Sequence, residues 1–272
     1  MKRSDFLELE SLELFVPYTK KKRRIRVLLP VNYFNEDSRY PVVYMHDGQN
    51  VFYSRESFSG YSWKTIPTIK RNADLPKMII VGIDNDNENR LSEYSPWKFE
   101  NENIVSADVM SPFGLEYGKF VIDVVKPYID QHYRTKPEKE FTAMVGSSLG
   151  GSISQYLGAK YSDVIGCLGI FSSANWLFQN TFDKFMKDAD FSEQKVFIMV
   201  GTNEFNEGDA DLMSGNINQY YIDSSLTYYR QLLEKEVDVN NLDLVIAAGE
   251  KHSERAWAKH LSRCLKFLSM NW

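Results

Sequence analysis

Short continuous runs of apolar residues alternate along this chain with longer stretches in which apolar positions recur at helical spacing. A continuous apolar run is typical of a strand covered on both faces, and the helical spacing is typical of an amphipathic helix. The pattern predicts buried strands at residues 40–45, 78–83, 141–145, 164–171, 195–201 and 242–247. It predicts helices at residues 63–69, 113–132, 176–186, 216–236 and 253–270, with a further helix after Gly150.

This alternation of strands and helices predicts an α/β fold with a mostly parallel central sheet and helices on both faces. Ahead of it, residues 12–16 and 25–29 are predicted to form an antiparallel pair of strands at the sheet edge. No linker rich in Pro, Gly or Ser interrupts the 272 residues, so we expect one domain spanning 1–272. Ligands of such sheets bind at the carboxyl ends of the strands, so the loops that follow the strands are the candidate site.

The charge balance argues against a nucleic-acid partner, because neutralising phosphates requires a basic face and the formal net charge is −5. The basic run at residues 20–24 lies between the first two predicted strands, and we interpret it as a solvated hairpin turn. The chain shows neither an apolar run of about 18 residues nor a signal-peptide pattern, so we expect a cytoplasmic protein without a membrane partner. Cys167 and Cys264 lack C-x-x-C spacing and are expected to be buried free thiols.

The predicted strand at residues 141–145 leads into Gly-Ser-Ser-Leu-Gly, which matches the Gly-x-Ser-x-Gly pattern of a nucleophile elbow. In such a turn the serine, here Ser148, is held on a sharp bend with its hydroxyl clear of the backbone. We expect Gly146 and Gly150 to be required because side chains there would collide with the neighbouring strand and helix. The first N–H groups of the following helix suit a developing negative charge. An ordinary strand-to-helix turn is the alternative interpretation.

A serine nucleophile needs an imidazole to take its proton and a carboxylate to hold that imidazole. Only His252 and His260 follow Ser148, as the expected order of serine, acid and histidine requires. We predict His252 as the base because it lies in the loop after the last strand, whereas His260 lies inside the final helix. Glu204, which follows the strand 195–201, is the preferred acid. Its rivals lie further from the strand end: Asp209, Asp211 and Asp223.

Attack by a serine on a carbonyl carbon creates an oxyanion that needs hydrogen-bond donors. One donor on this fold is the N–H after the nucleophile, here Leu149, and we predict the second at Gln49, in the loop after the strand 40–45. The acidic stretch 84–90 lacks the glycine and glutamate of a calcium loop, so we interpret it as a polar loop and predict no metal or other cofactor. Four further residues are predicted to line a substrate pocket, although core positions suit the aromatic ones equally: Trp97, Tyr94, Trp176 and His46.

Four segments resemble the "putative esterase" branch of the α/β-hydrolases, which includes esterase D, carbohydrate esterase family one and enterochelin-esterase-like proteins. They are 44–52 (YMHDGQNVF), 90–97 (RLSEYSPW), 146–151 (GSSLGG) and 252–257 (HSERAW). The resemblance covers nearly the whole chain and implies an α/β-hydrolase fold. Asp47 stands where many relatives carry histidine, which leaves the substrate preference open.

The resemblance implies Ser148 as nucleophile, His252 as base, and Gln49 with Leu149 as oxyanion donors. Glu204 departs from the aspartate that many relatives use. We therefore expect a serine carboxylic-ester hydrolase that forms an acyl-enzyme on small acyl or acyl-sugar esters. A thioesterase of the S-acylglutathione type, an acyltransferase and a catalytically silent binding protein with the same fold are the alternatives. The expected partner is a small-molecule ester, and the oligomeric state stays open, with a homo-oligomer as one option.

Overall fold

The computed structural model describes residues 7–100, 111–191, 193–204 and 216–272. Its strands are β1 (Glu8–Val16), β2 (Lys21–Leu29), β3 (Val42–His46), β4 (Ile79–Ile83), β5 (Thr142–Ser147), β6 (Cys167–Phe171), β7 (Lys195–Asn203) and β8 (Leu242–Lys251). They form one eight-stranded sheet in the order β1-β2-β4-β3-β5-β6-β7-β8. β2 is antiparallel to both β1 and β4, and all other neighbours are parallel. The α/β-hydrolase sheet with an antiparallel N-terminal edge is thus confirmed.

Helices cover both faces of this sheet. They are α1 (Thr65–Arg71), α2 (Arg90–Glu93), α3 (Gly114–Phe120), α4 (Lys126–His132), α5 (Leu149–Lys160), α6 (Gln179–Lys187), α7 (Ile217–Glu234) and α8 (Glu254–Leu268). A π-helical turn, Val121–Val125, joins α3 to α4, so the predicted helix at 113–132 is continuous but contains an irregular turn. Within the described ranges, no helix is both long enough and apolar enough to cross a membrane.

The core lies in two layers, one on each face of the sheet. In β3, Val42 and Tyr44 belong to the layer that contains residues of α3 to α7, whereas Val43 and Met45 belong to the layer beneath α1 and α8. Successive side chains of a strand point to opposite faces, so a strand buried on both sides must be apolar at every position. This explains why the central strands appear in the sequence as continuous apolar runs.

The interpretation of the basic run at 20–24 as a solvated turn was wrong. The turn occupies residues 17–20, and the chain from Lys21 onward belongs to β2. Arg23 is buried and forms two hydrogen bonds, of 2.7 and 2.9 Å, with the carboxylate of Glu93, which is also buried. A buried charge must be paired because its desolvation is costly, and here the partner lies in α2, 70 residues away. A count of charges along the sequence cannot reveal such a partner.

Candidate active site

The turn between β5 and α5 consists of the single residue Ser148. Its φ of 57° and ψ of −131° lie in a region that L-residues rarely adopt, at a cost of roughly 1–3 kcal/mol. Hydrogen bonds hold this conformation: the N–H of Ser148 donates to the carbonyl of Phe171 at 3.0 Å, and its carbonyl accepts from the N–H groups of Gly151 and Ala174. The half-buried serine is therefore presented at the carboxyl edge of the sheet.

The two glycines of the elbow differ in how much space a side chain would have at each position. A Cβ at position 146 would lie 2.2 Å from the carbonyl oxygen of Gly150, so the strand and the helix can approach only because Gly146 has no side chain. A Cβ at position 150 would lie 3.4 Å from its nearest neighbour, a carboxylate oxygen of Asp47, which is an ordinary contact. The predicted collision is therefore confirmed at Gly146 and was wrong at Gly150.

The structure brings Glu204 and His252 together. Glu204 follows β7 and His252 follows β8, and the Oε2 of Glu204 lies 2.7 Å from the Nδ1 of the imidazole. The carboxylate is fully buried, with 1% exposure, while the imidazole side chain keeps 16% exposure. The other oxygen, Oε1, accepts hydrogen bonds from the hydroxyl of Ser172 at 2.6 Å and from the N–H of Gly201 at 2.5 Å. One oxygen thus faces the imidazole, and the other is held by neutral donors.

The rival residues lie elsewhere. Asp223 is exposed on α7 and accepts a hydrogen bond from the side chain of Gln219 at 2.7 Å. Asp209 and Asp211 lie outside the described residues. His260 lies on α8, where desolvation lowers its pKa.

Ser148 and the pair Glu204–His252 are connected through the end of β6. The N–H of Ser148 donates to the carbonyl of Phe171, and the next residue, Ser172, donates its hydroxyl proton to Glu204. Because β5, β6, β7 and β8 are consecutive parallel neighbours, their carboxyl ends lie along one edge. The loops predicted to carry the nucleophile, the acid and the base therefore meet at that edge.

The loop after β3 is held in an uncommon conformation. Asp47 adopts left-handed angles, with φ 55° and ψ 51°, and is followed by a 3₁₀ turn, Gly48–Asn50. Asp and Asn tolerate this region better than most residues. A Cβ at position 48 would lie 2.6 Å from the carboxylate of Asp84 and 2.7 Å from the backbone of Gly82. The loop can therefore pack against β4 only with glycine at this position.

An ion pair between the buried Asp47 and the partly buried Arg90 fixes this loop. Arg90, the first residue of α2, donates from Nε and Nη2 to the two carboxylate oxygens of Asp47 at 2.7 and 2.8 Å. The amide of Asn85 donates to the same carboxylate, and the N–H of Asp47 donates to the hydroxyl of Tyr94 at 3.0 Å. Burial alone raises the pKa of Asp47, but the charge and hydrogen bonds of Arg90 outweigh it and hold the pKa below its usual range. Sequence reasoning missed this pair, although both residues lie in the segments that carry the family resemblance.

Gln49 lies within the 3₁₀ turn of this loop. Its side-chain oxygen accepts a hydrogen bond from the N–H of Asn85 at 3.1 Å, which ties the loop to the segment after β4. The residue is buried, with 9% exposure. Leu149 is the first residue of α5, so its N–H has no intrahelical acceptor. The two predicted oxyanion donors therefore lie in the 3₁₀ turn after β3 and at the start of α5.

Three of the four predicted pocket residues pack within the protein. His46 and Tyr94 are buried behind the Asp47 loop, and the Nδ1 of His46 lies 2.7 Å from the hydroxyl of Tyr117. Burial lowers the pKa of His46 to about 4, so its imidazole is neutral at pH 7. Trp97 is partly buried, and aromatic rings surround it: Tyr156, Phe178, Phe182 and Phe185.

Trp176 differs from these three because it lies near the acid–base pair. Its ring contacts that of Tyr221 edge-on at 5.5 Å, and Tyr221 in turn lies 4.8 Å from the imidazole of His252. It also stacks on Tyr220, which is exposed. An aromatic group thus borders His252 on the α7 side.

The acidic stretch 84–90 forms ion pairs with protein side chains. Its first carboxylate, Asp84, binds the guanidinium groups of Arg24 and Arg26 at 2.7 and 2.8 Å. Among the residues that the structure describes, no cluster of three or more His, Cys, Asp or Glu side chains is arranged to hold a metal ion.

The family model described as "Putative esterase" matches residues 17–268. The chain belongs to this family. This esterase is 25% identical over 247 residues to the uncharacterized protein YbbA of Bacillus subtilis, covering 90% of this chain and 92% of YbbA. Membership in the family makes the protein a carboxylic ester hydrolase with a small-molecule ester as substrate.

Solved structures share the fold of this esterase. An IroE-like serine hydrolase from Shewanella oneidensis superposes with a TM-score of 0.75 at 20% identity, covering 97% of this chain and 80% of that chain. A ferulic acid esterase from Anaeromyces mucronatus superposes with a TM-score of 0.66 at 20% identity, covering 100% of this chain and 94% of that chain. At this level of identity, the likeness concerns the fold.

Proposed function

We propose that this esterase is a serine hydrolase in which Ser148 attacks the ester, His252 acts as the base, and Glu204 holds the base. The N–H groups of Gln49 and Leu149 stabilise the oxyanion. The main support is the 2.7 Å hydrogen bond between His252 and the buried Glu204, formed at the sheet edge that also presents Ser148. A carboxylate that binds Nδ1 leaves Nε2 available to accept a proton, as a general base requires.

In the first half-reaction, the Oγ of Ser148 bonds to the ester carbonyl carbon while its proton passes to Nε2 of His252. The carbonyl π electrons move to the oxygen, and the two backbone N–H groups donate to the resulting oxyanion. The tetrahedral intermediate then collapses: the bond to the alcohol breaks, and the imidazolium gives its proton to the leaving oxygen. An acyl-enzyme on Ser148 and a free alcohol are the products of this stage.

In the second half-reaction, water takes the place of the alcohol. His252 removes a proton from water as the water oxygen attacks the acyl carbon, and Ser148 leaves with that proton. Glu204 stays ionised throughout and stabilises the imidazolium that forms in each half-reaction. All groups required for this cycle are supplied by the protein and by water.

The proposed substrates are small acyl or acyl-sugar esters. Two features support this class. The described rim near His252 carries the aromatic rings of Trp176, Tyr220 and Tyr221, which suit a planar acyl group or a sugar face. In addition, a structure with the same fold is a ferulic acid esterase.

Labelling with a fluorophosphonate tests the nucleophile, because this reagent traps an activated serine. We expect the native protein to take up one equivalent and to hydrolyse p-nitrophenyl acetate, and S148A to do neither. Ser147 is the matched control: it is the adjacent residue, is buried in β5, and should leave labelling intact when changed to alanine. Equal labelling of S148A and native protein would exclude Ser148 as the nucleophile.

The substrate class is tested by comparing p-nitrophenyl esters of graded chain length with acetylated and feruloylated sugars. We expect the highest kcat/KM on one of the short acyl or acyl-sugar esters. Added alcohols distinguish hydrolysis from acyl transfer, and dominant transfer to the alcohol would contradict the proposal. Acyl-thioesters belong in the same comparison, because a preference for them would indicate a thioesterase.

A further inference from the structure

A buried relay of hydrogen bonds reaches the carboxylate of Glu204 from the side opposite His252. The indole Nε1–H of Trp257, in α8, donates to the hydroxyl of Ser172 at 3.0 Å, and that hydroxyl lies 2.6 Å from Oε1 of Glu204. Ser172, Trp257 and Glu204 are all buried, with exposures of 0%, 5% and 1%. Water therefore does not compete for these bonds.

The direction of every proton in this relay follows from the donor chemistry. An indole nitrogen only donates, so the hydroxyl of Ser172 must accept from Trp257 and donate its own proton to Glu204. The N–H of Gly201 is also only a donor and binds the same oxygen. An oxygen that accepts two hydrogen bonds favours the ionised carboxylate. Oε2 is then an acceptor as well, so Nδ1 of His252 carries the proton.

We propose that Ser172 and Trp257 are positioning residues for the reaction: they orient the carboxylate of Glu204 and thereby fix the tautomer of His252. This inference depends on the proposed roles of Ser148, His252 and Glu204. With the proton on Nδ1, the lone pair of Nε2 is free to receive the proton of the nucleophile. Trp257 also contacts the imidazole itself, edge to face at 5.0 Å, and so restrains both members of the pair.

The backbone at Ser172 is shaped for this task. Its φ is 44°, a left-handed value, and its N–H donates to the carbonyl of Met199 in β7 at 2.7 Å. A non-glycine residue in this region is uncommon and persists where surrounding contacts fix it. The turn directs the side chain toward the end of β7, where Glu204 lies. The next residue, Ser173, is equally buried, but its hydroxyl has no hydrogen-bond partner in the described ranges.

The test compares S172A and W257F with S173A. The first removes the donor to Glu204, the second keeps an aromatic ring but removes the N–H, and the third removes an adjacent buried hydroxyl outside the relay. Ester hydrolysis is measured against pH, and rates are expressed per serine labelled by the fluorophosphonate, so that misfolded protein does not count. A hydrogen bond to a charged group supports an effect of about tenfold in kcat for S172A, with KM within about twofold.

The pH profile separates positioning from a structural role. Without the hydroxyl, negative charge on Glu204 is less well stabilised, so the carboxylate holds the proton on His252 more tightly. We expect the acid limb of kcat/KM to move to higher pH in S172A, to move less in W257F, and to stay in place in S173A. An acid limb of S172A that superposes on that of native protein would overturn the proposal, even if the rate of S172A is lower. If W257F fails to fold, S172A and S173A alone decide the question.

The outcomes also separate this inference from the proposed function. If Ser148 fails to label in the native protein, the proposed function is wrong and the relay has no catalytic role. If Ser148 labels and its alanine variant is inactive, but S172A matches native protein in rate and pH profile, only the relay is wrong.

Discussion

The two sides of the candidate site are held by different kinds of interaction. On the side of Glu204 and His252, one carboxylate oxygen of Glu204 accepts from two neutral donors, the hydroxyl of Ser172 and the N–H of Gly201, and the other faces the imidazole of His252. On the other side, in the loop that carries Gln49, the carboxylate of Asp47 forms a two-pronged ion pair with the guanidinium of Arg90. The same chemical group is thus used in two ways within one site.

The difference follows from what each carboxylate has to do. In the proposed mechanism, Glu204 stabilises the charge that the imidazole gains and loses in every cycle, so a permanent cation beside it would cancel that stabilisation. Asp47 takes no proton and has to hold a strained loop in place. An arginine is suited to this role because it stays protonated and binds both carboxylate oxygens at once. Neutral partners therefore suit the carboxylate that is proposed to stabilise the imidazolium, and an ion pair suits the carboxylate that holds the loop.

The largest effect is expected when the carboxylate of Glu204 is replaced by its amide, in E204Q. The amide oxygen would keep the bonds from Ser172 and Gly201, which turns the NH₂ group toward Nδ1–H of His252. Two donors would then face each other, and the imidazole would move its proton to Nε2, where it blocks the base. We expect kcat to fall by about 10³- to 10⁴-fold at unchanged stability. E250Q, which alters an exposed ion pair nearby, is the control and should retain the native rate.

R90M tests the supporting carboxylate and should have the second-largest effect. Methionine fills part of the space but leaves Asp47 charged and buried, so we expect a loss of about 3 kcal/mol in the free energy of unfolding. We also expect a fall in kcat of about tenfold or more, because the loop that carries Gln49 loses its anchor. Urea unfolding and ester kinetics measure the two effects.

The double variant D47N/R90M sharpens this test. Asn has no charge to leave unpaired, so part of the lost stability should return, whereas a double variant no more stable than R90M would show that charge burial is not the cause. Native stability and native kcat in R90M would contradict the role of the ion pair.

The smallest effect concerns His46, which directly precedes Asp47 in the chain and is neutral at pH 7. Its pKa falls from 6.5 to about 4 on folding because burial disfavours the cation. The unfolded chain therefore binds more protons than the folded protein between these values, and stability is lost as the pH falls from 6.5 toward 4. We expect the free energy of unfolding to drop by about 2 kcal/mol between pH 7 and pH 5 from this group alone.

H46N is the comparison for that pH dependence. Asn keeps an acceptor for the hydroxyl of Tyr117 but does not titrate, so its stability should be flatter over the same range. The other charged groups beside the imidazole are Asp47 and Arg90, which are present in both proteins and cancel in the difference. Equal slopes for H46N and native protein would show that His46 does not control this dependence.

The residues proposed to react could be predicted from the sequence because chemistry fixes where they occur. The elbow has a recognisable Gly-x-Ser-x-Gly motif around Ser148, and the acid and the base must follow later strands of the same sheet. His252 and Glu204 were therefore selected by position and residue type, and the structure places them 2.7 Å apart. The order of elements from β3 to α8, apart from the short helix α2, was predictable for a related reason, since burial on both faces leaves a continuous apolar run.

The residues that support the site could not be predicted in this way. Ser172 lies 32 residues from Glu204, Trp257 lies 85 from Ser172, and Arg90 lies 43 from Asp47. Nothing in the local pattern of a serine, a tryptophan or an arginine indicates which distant backbone it will meet, because that depends on how whole elements pack. The basic run was misinterpreted for the same reason, since its partner Glu93 lies in another element.

The close approach of Gly146 to the carbonyl of Gly150 has an evolutionary consequence. A descendant that abandoned catalysis would be free to exchange its serine, yet even one methyl group at position 146 would push the strand and the helix apart. In such lineages Gly146 would be retained after Ser148 had been replaced. With Ser148 as the proposed nucleophile, position 148 is therefore the one that separates active members of this family from inactive ones, whereas Gly146 indicates only that the fold is kept.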